Sequence, residues 1–264
     1  MVAGFPAFAA ALAAGNDGYD DRYFADLYAL EARNYWFRAR NALVTWAMRK
    51  YFQAARLYFE IGCGTGFVLA GIARAMPQLV MHASEVSSTG LPFAAQRVPQ
   101  AALFQMDARA IPFVAHFDVI GMFDVLEHID EDVMVLAQAH RALREGGGLI
   151  ITVPQHPFLW SVYDEHAHHV RRYAARELRA KVLQAGFRVI MMTSFVSLLL
   201  PLMMVSRRFQ RTPAGEAYDV LAELRVGRFA NFLLESVLAI ERGLIRLGIR
   251  LPAGGSLLLV AQRN

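Results

Sequence analysis

Residues 60–66 read Glu-Ile-Gly-Cys-Gly-Thr-Gly (EIGCGTG), directly after the apolar run Leu57–Ile61 and directly before a segment of helical periodicity. Glycines at alternate positions let the chain turn sharply and pass close to a ligand where a Cβ would clash. The helix that follows offers unpaired N–H groups at its start. The spacing is GxGxG rather than the GxGxxG dinucleotide fingerprint, and an acid, Glu60, precedes the glycines. A glycine triplet alone is weak evidence, so its weight depends on what surrounds it.

From about Arg56 to Thr193 short apolar runs alternate with helical segments, the pattern of βαβ units and a parallel sheet. Strands are expected at Leu57–Ile61, Val80–Glu85, Ala102–Met106, Val119–Phe123, Gly148–Val153 and Val189–Thr193, with a final strand at Ser256–Ala261. Helices are expected near Gly66–Ala75, Leu91–Arg97, Asp132–Leu143 and Ala175–Ala185. Gly146-Gly147-Gly148 reads as a turn before a buried strand, and Gly186 as a helix stop.

The second strand ends in Ala83-Ser84-Glu85, about 20 residues beyond the glycines, a distance at which an acid accepts hydrogen bonds from both ribose hydroxyls. A further strand end, Phe104-Gln105-Met106-Asp107-Ala108, brings another carboxylate to the same crevice, suited to an exocyclic amine. Each acid alone reads as a surface carboxylate. Three acids (Glu60, Glu85 and Asp107) at three successive strand ends are harder to explain that way.

Six separated motifs between Tyr35 and Phe187 resemble the class I S-adenosylmethionine-dependent methyltransferases, particularly the bacterial group related to the ubiquinone-biosynthesis methyltransferases. They are YWFRARN (Tyr35–Asn41), EIGCGTG (Glu60–Gly66), SEVS (Ser84–Ser87), MDA (Met106–Ala108), FDVLEHIDED (Phe123–Asp132) and LREGGGLIITVP (Leu143–Pro154). The resemblance implies a Rossmann-like α/β fold with a seven-stranded, mostly parallel sheet whose last strand is antiparallel. It implies S-adenosyl-L-methionine as cofactor and S-adenosyl-L-homocysteine as product. Glu60, Gly62, Gly64 and Gly66 would wrap the methionine part, Glu85 with Val86 the ribose, and Asp107 with Ala108 the adenine. Phe123 and Asp124 would border the sulfonium. One departure is visible: about 60 residues separate the last two strands, where family members often have a short hairpin.

Methyl transfer asks for alignment and exclusion of water, because the sulfonium already activates the methyl group. An O–H or N–H acceptor also needs a base, and histidine titrates in the right range. Two places supply one. Glu127-His128 follows the fourth strand and reads either as a structural loop contact or as an acceptor-side pair. The run Tyr163–Tyr173 (YDEHAHHVRRY) reads either as a solvated loop or as an acceptor-site loop, with His169 and Arg172 the candidates within it. No cysteine or ordered HxxxH pair supports a metal, and none is expected. In the Tyr35–Arg40 block, Trp36 and Phe37 read as core aromatics, while Arg38 or Arg40 could reach the methionine carboxylate through a charge-assisted contact.

Four regions follow: an N-terminal helical cap (1–52), a cofactor-binding core (53–193), a helical insert before the last strand (194–255) and the final core strand (256–264). The insert holds eight arginines and five acids. Phe229, Leu233, Val237, Ile240, Leu244 and Leu247 recur at three- and four-residue steps and are expected to line one packed face. That face would roof an apolar acceptor pocket, lie on an anionic membrane surface or pair with a second copy as a homodimer.

The chain of 264 residues is 56% hydrophobic and 19% charged, too apolar for disorder, with a formal charge of +4. No basic cluster is dense enough for a nucleic-acid face. The lone Cys63 excludes an intrachain disulfide and points to a cytoplasmic setting. No basic region precedes the Ala/Phe-rich Val2–Ala14, so a secretory signal is not expected, and Val196–Val205 is about half a membrane span. The leading expectation is a methyltransferase acting on a small or lipid-like acceptor at an O, N or C atom. The alternatives are a non-catalytic protein that binds the same cofactor for regulation or assembly, and a nicotinamide dehydrogenase, against which the GxGxG spacing and the late strand speak.

Overall fold

The computed structural model describes residues 1–13, 23–209 and 225–264. Two helices lead in, α1 (Tyr23–Leu30) and α2 (Tyr35–Tyr51). The core then runs β1 (Leu57–Ile61), α3 (Phe67–Ala75), β2 (Val80–Glu85), α4 (Leu91–Arg97), β3 (Ala102–Gln105), β4 (Phe117–Phe123), α5 (Asp132–Ala142), β5 (Leu143–Pro154), α6 (Val162–His166), α7 (Ala175–Gln184) and β6 (Phe187–Phe195). Two further helices, α8 (Leu200–Phe209) and α9 (Arg228–Arg246), precede β7 (Ser256–Arg263).

The strands form one seven-stranded sheet in the order β3-β2-β1-β4-β5-β7-β6. β1 through β5 are parallel neighbours, and β7 lies antiparallel between β5 and β6. This is the mixed, Rossmann-like sheet expected from the motifs. The central strands are buried on both faces, which is why they read as unbroken apolar runs: Tyr58, Phe59 and Ile61 on β1 and Leu257–Ala261 on β7 are shielded throughout. The chain leaves β1 toward β2 on one side and returns to β4 on the other, so the strand order reverses there and a crevice opens at the carboxyl ends.

Most strands run longer than their sequence signal. β5 begins at Leu143 and passes through the three glycines, which are therefore not a turn. A register shift between Phe117 and Val119 absorbs them, with Gly146 at φ +72°.

The expected apolar stripe of α9 is not its packed face. Phe229, Leu233, Ile240 and Leu247 are exposed, while Leu238, Glu241 and Ile245 are buried. The helix is apolar on two sides, and a polar contact selects between them. The Glu241 carboxylate accepts hydrogen bonds from the backbone N–H groups of Val196, Ser197 and Leu198, at 2.6, 2.6 and 2.8 Å. Those donors would otherwise be orphaned where the chain leaves β6, with Val196 at φ +58°. Residues 14–22 of the expected N-terminal cap and 210–224 of the expected insert lie outside the described residues.

Gly66 precedes α3 at φ +76°, and a Cβ there would stand 2.8 Å from the Ala94 Cα on α4. Gly66→Ala therefore combines left-handed backbone strain with a clash against backbone, and is expected to cost roughly 2–4 kcal/mol. Gly64→Ala, at φ +51° with open space around it, is expected to cost only about 1–2 kcal/mol. Urea unfolding of both variants checks this; equal losses would contradict it.

Candidate active site

A cavity of about 730 Å³ occupies the crevice at the carboxyl ends of β1 to β4, within the range of a small-molecule site. Its floor is the β1–α3 loop. The Glu85 carboxylate at the end of β2 accepts hydrogen bonds from the N–H of Gly64 at 2.8 Å and of Val86 at 2.8 Å. Gly62, at φ +66°, leaves room for Val125, whose methyl would lie 2.5 Å from an added Cβ. The two positive-φ glycines and the acid thus fix one another. Thr65 donates to Glu31, and Arg97 binds Glu31 while stacking over Tyr28, tying the loop to α1 and α4.

Of the residues singled out from sequence, Glu60, Gly62, Gly64, Glu85, Val86, Asp107, Ala108, Phe123, Asp124, His128, His169 and Arg172 line this one cavity. Two do not. Gly66 faces α4, and its freedom serves helix packing. Arg38 points the other way: it pairs with Glu235 on α9 at 3.0 Å. Two residues along a helix rotate the side chain by about 200°, so it is Arg40 that enters the cavity. Arg40 is buried, lies over the Trp36 ring and forms an ion pair with Asp124. Asp124 is held at φ +57°, a strained backbone of the kind that clusters at functional sites.

The lining is rich in carboxylates, with Glu31, Glu60, Glu85, Asp107, Asp124 and Glu127 among them. Burial pushes Glu60 up to about 8, against the Tyr58 hydroxyl and Arg40, which favour its charge. Burial likewise raises Glu127 to about 8. Neither carboxylate oxygen of Glu127 meets a hydrogen-bond partner among the described residues. A buried acid in that state calls for a cationic or donor group from a ligand.

The Tyr163–Tyr173 run divides by face. His166 and His168 are exposed, whereas Asp164 and Arg172 are buried and His169 turns inward. Asp164 accepts from the Ser161 backbone N–H at 2.8 Å, lies 2.9 Å from His169 Nδ1 and takes a 2.7 Å hydrogen bond from Arg172 Nε. Burial opposes the charge on Asp164, but the hydrogen bond from His169 and the Arg172 guanidinium hold it down to about 2. An ionised carboxylate only accepts, so in this contact His169 Nδ1 is the donor. The His128 ring meets His169 edge-on at 4.7 Å, and burial with that neighbour depresses His128 to about 3. Ligand atoms of Glu127, His128 and His169 all lie within 4.8 Å of one another, close enough to share a cation.

Sequence reasoning missed Asp164 as the hub of this cluster; the trace it leaves is its position three residues after a helix-capping Ser161. It also missed Asp132, buried, which accepts from Tyr173 and Lys181 at 2.6 Å each and pairs with Arg171, locking the loop to α5 and α7. The cavity's apolar side comes from Val196, Leu199, Leu202, Met203 and Leu234, and Arg207 stands among them.

Residues 59–147 match a family described as a methyltransferase domain. A probable S-adenosylmethionine-dependent methyltransferase of Mycobacterium tuberculosis is 27% identical over 161 residues, which is 60% of this chain and 57% of the relative. Trans-aconitate 2-methyltransferase of an Azoarcus species is 30% identical over 131 residues, 50% of this chain and 49% of the relative. This chain therefore spans about half to three fifths of the length of those relatives. The solved Haemonchus contortus phosphoethanolamine N-methyltransferase 2 in complex with S-adenosyl-L-methionine shares the fold, with a TM-score of 0.56 at 18% identity, covering 83% of this chain and 52% of that one. The glycine loop, the acids at successive strand ends and the first four strands of the mixed sheet fall within or beside the matched residues 59–147, so this part of the chain is similar to a methyltransferase domain and the whole has the fold of solved S-adenosylmethionine-dependent methyltransferases.

Proposed function

We propose that the chain methylates an amphipathic small molecule, with S-adenosylmethionine as donor and S-adenosylhomocysteine as product. The observation that carries this reading is the division of one cavity into two unlike ends. Carboxylates and the glycine loop make up one lining, and His169, held by the buried Asp164, joins the apolar residues of the insert in the other. The bound donor would supply a methyl group already activated by its sulfonium.

In this reading Glu85 and Val86 hold the ribose, Asp107 and Ala108 the adenine, and Gly62 and Gly64 admit the methionine portion against the backbone. Arg40 takes the methionine carboxylate in place of Arg38, and Glu60 and Glu127 face the ammonium and sulfonium charges. Phe123 and Asp124 border the reacting centre. At the other end His169 Nε2 receives the proton that the acceptor O–H or N–H loses. Asp164 fixes the tautomer and orientation of that ring, with Arg172 positioning Asp164, and His128 contacts the acceptor. Residues 1–52 cap the cofactor end through Phe24, Leu27, Glu31 and Tyr35–Phe37. Residues 194–255 close the acceptor end through Val196, Leu199, Leu202, Met203 and Leu234, an apolar surface that favours a lipid-like acceptor.

His169→Ala is expected to lower kcat by about 10²–10⁴-fold with S-adenosylhomocysteine affinity essentially unchanged. Tritiated methyl transfer to an acceptor found by screening lipid, quinone and carboxylic-acid compounds reads the first quantity, and calorimetry the second. Full turnover in the variant would remove the base from the mechanism.

Proton release gives an independent check. Glu60 and Glu127, at about 8, are mostly protonated at pH 7, and a cation placed beside them favours their charged form. Binding of S-adenosylmethionine at pH 7 is therefore expected to release protons, so the calorimetric enthalpy varies with the ionisation enthalpy of the buffer. At pH 9 both groups are already ionised and the dependence should fade. An enthalpy at pH 7 that is the same in phosphate and Tris would contradict the assignment.

A further inference from the structure

The packed side of α9 faces the core, and its outer side is apolar. Phe229 is 76% exposed, Ile240 63% and Leu247 83%, with Phe232 and Leu233 also open. On α8, Leu202, Met204 and Val205 are exposed as well. Exposed apolar residues at this density on one helix pair mark a contact surface.

A groove of about 1020 Å³ runs beside α9, between it and α2 and α3. Arg38, Arg49, Lys50, Arg74, Arg242 and Arg246 line it, and Glu235 is its one acid among the described residues. Arg242 is half-buried there, and one terminal guanidinium nitrogen is shielded from water with no hydrogen-bond partner among the described residues. Burial and the like charges of Arg246 and Arg38 depress its pKa. A half-buried guanidinium among cations is stabilised by an anion that brings acceptor oxygens.

At about 100° per residue, Arg228, Arg242 and Arg246 fall within about 40° of one another on α9. Phe229, Leu233, Ile240 and Leu247 lie roughly 100–140° round the helix from Arg246, and the packed line through Leu238 and Ile245 occupies the remaining side. An apolar edge flanked by a basic rail is the pattern of a helix lying in a membrane interface. A second copy of this chain would bring the same cations to such a contact, whereas an anionic bilayer brings the opposite sign.

We infer that the α8–α9 face seats the chain on an anionic lipid surface, with phosphate groups of lipid headgroups held in the α2–α3–α9 groove. The inner sides of the same two helices line the cavity through Met203 and Leu234, so docking sets that part of it beside the bilayer. The inference does not depend on methyl transfer.

Co-sedimentation with vesicles of phosphatidylcholine alone, and of phosphatidylcholine with 30% phosphatidylglycerol, tests it. The full chain should pellet with the anionic vesicles and remain in solution with the neutral ones, and 0.5 M salt should release it. Arg242→Gln with Arg246→Gln should reduce vesicle binding at least about fivefold, since each juxtamembrane cation contributes about 1 kcal/mol, and separately Phe229→Ser with Ile240→Ser should reduce it at least about fivefold by removing the apolar surface that inserts. S-adenosylhomocysteine affinity measured on both variants should match the wild type, showing that they are folded. Equal binding to neutral and anionic vesicles, or wild-type binding by the arginine variant, would overturn the inference. So would no vesicle binding together with a melting temperature raised by inorganic phosphate, which marks a soluble-anion site. A dimer in light scattering that the Phe229/Ile240 variant abolishes, without vesicle binding, would assign the face to a second copy and also overturn it.

Discussion

The hydrogen bonds between the Glu85 carboxylate and the N–H groups of Gly64 and Val86 join the ends of β1 and β2 across the crevice. That contact requires the β1–α3 loop to bend back toward β2, and the bend is available only because Gly62, Gly64 and Gly66 all take positive φ. The rest of the site is arranged around it. Gly66 lets α3 approach α4, Gly62 lets the β4–α5 segment close over the loop at Val125, and Thr65 anchors α1 through Glu31. A side chain at Gly62 or Gly66 would therefore displace a neighbouring element, Val125 in the first case and α4 in the second.

From that fixed floor the chemistry separates by charge. Buried carboxylates face the cavity from β1 and from the turn after β4, and desolvation leaves two of them with affinity for protons near neutrality. On the far side Asp164 keeps its charge because four donors from Ser161, His169 and Arg172 converge on it. The contrast between an unsatisfied Glu127 and a saturated Asp164 is electrostatic: the first awaits a partner, and the second orients one. Asp132 gathers donors in the same way, holding the end of the Tyr163–Tyr173 segment to the helices behind it.

What the sequence revealed followed from local rules. Short apolar runs alternating with helical segments located all seven strands, and the acids at the ends of three of them marked the crevice, because both patterns are set within a few residues. Contacts between distant segments were not legible. Arg38 and Arg40 cannot be told apart until α2 is oriented by α9, and Asp164 looks like any helix-start acid until His169 and Arg172 fold back onto it. The α9 stripe misled for a related reason. Periodicity finds an apolar face, but α9 has two, and the choice between them goes with three backbone donors at Val196–Leu198 that Glu241 satisfies.

The proposed function requires the strand-end carboxylates to form a nucleoside-binding cradle. Isothermal titration of S-adenosylhomocysteine into wild type and Glu85→Ala tests it most directly, with circular dichroism confirming the fold of the variant. Saturable binding to the wild type is expected, weakened more than about tenfold in the variant, the loss that follows when a charge-assisted pair of hydrogen bonds is removed. Equal affinity in a folded Glu85→Ala protein, or a nicotinamide dinucleotide binding in place of S-adenosylhomocysteine, would contradict it.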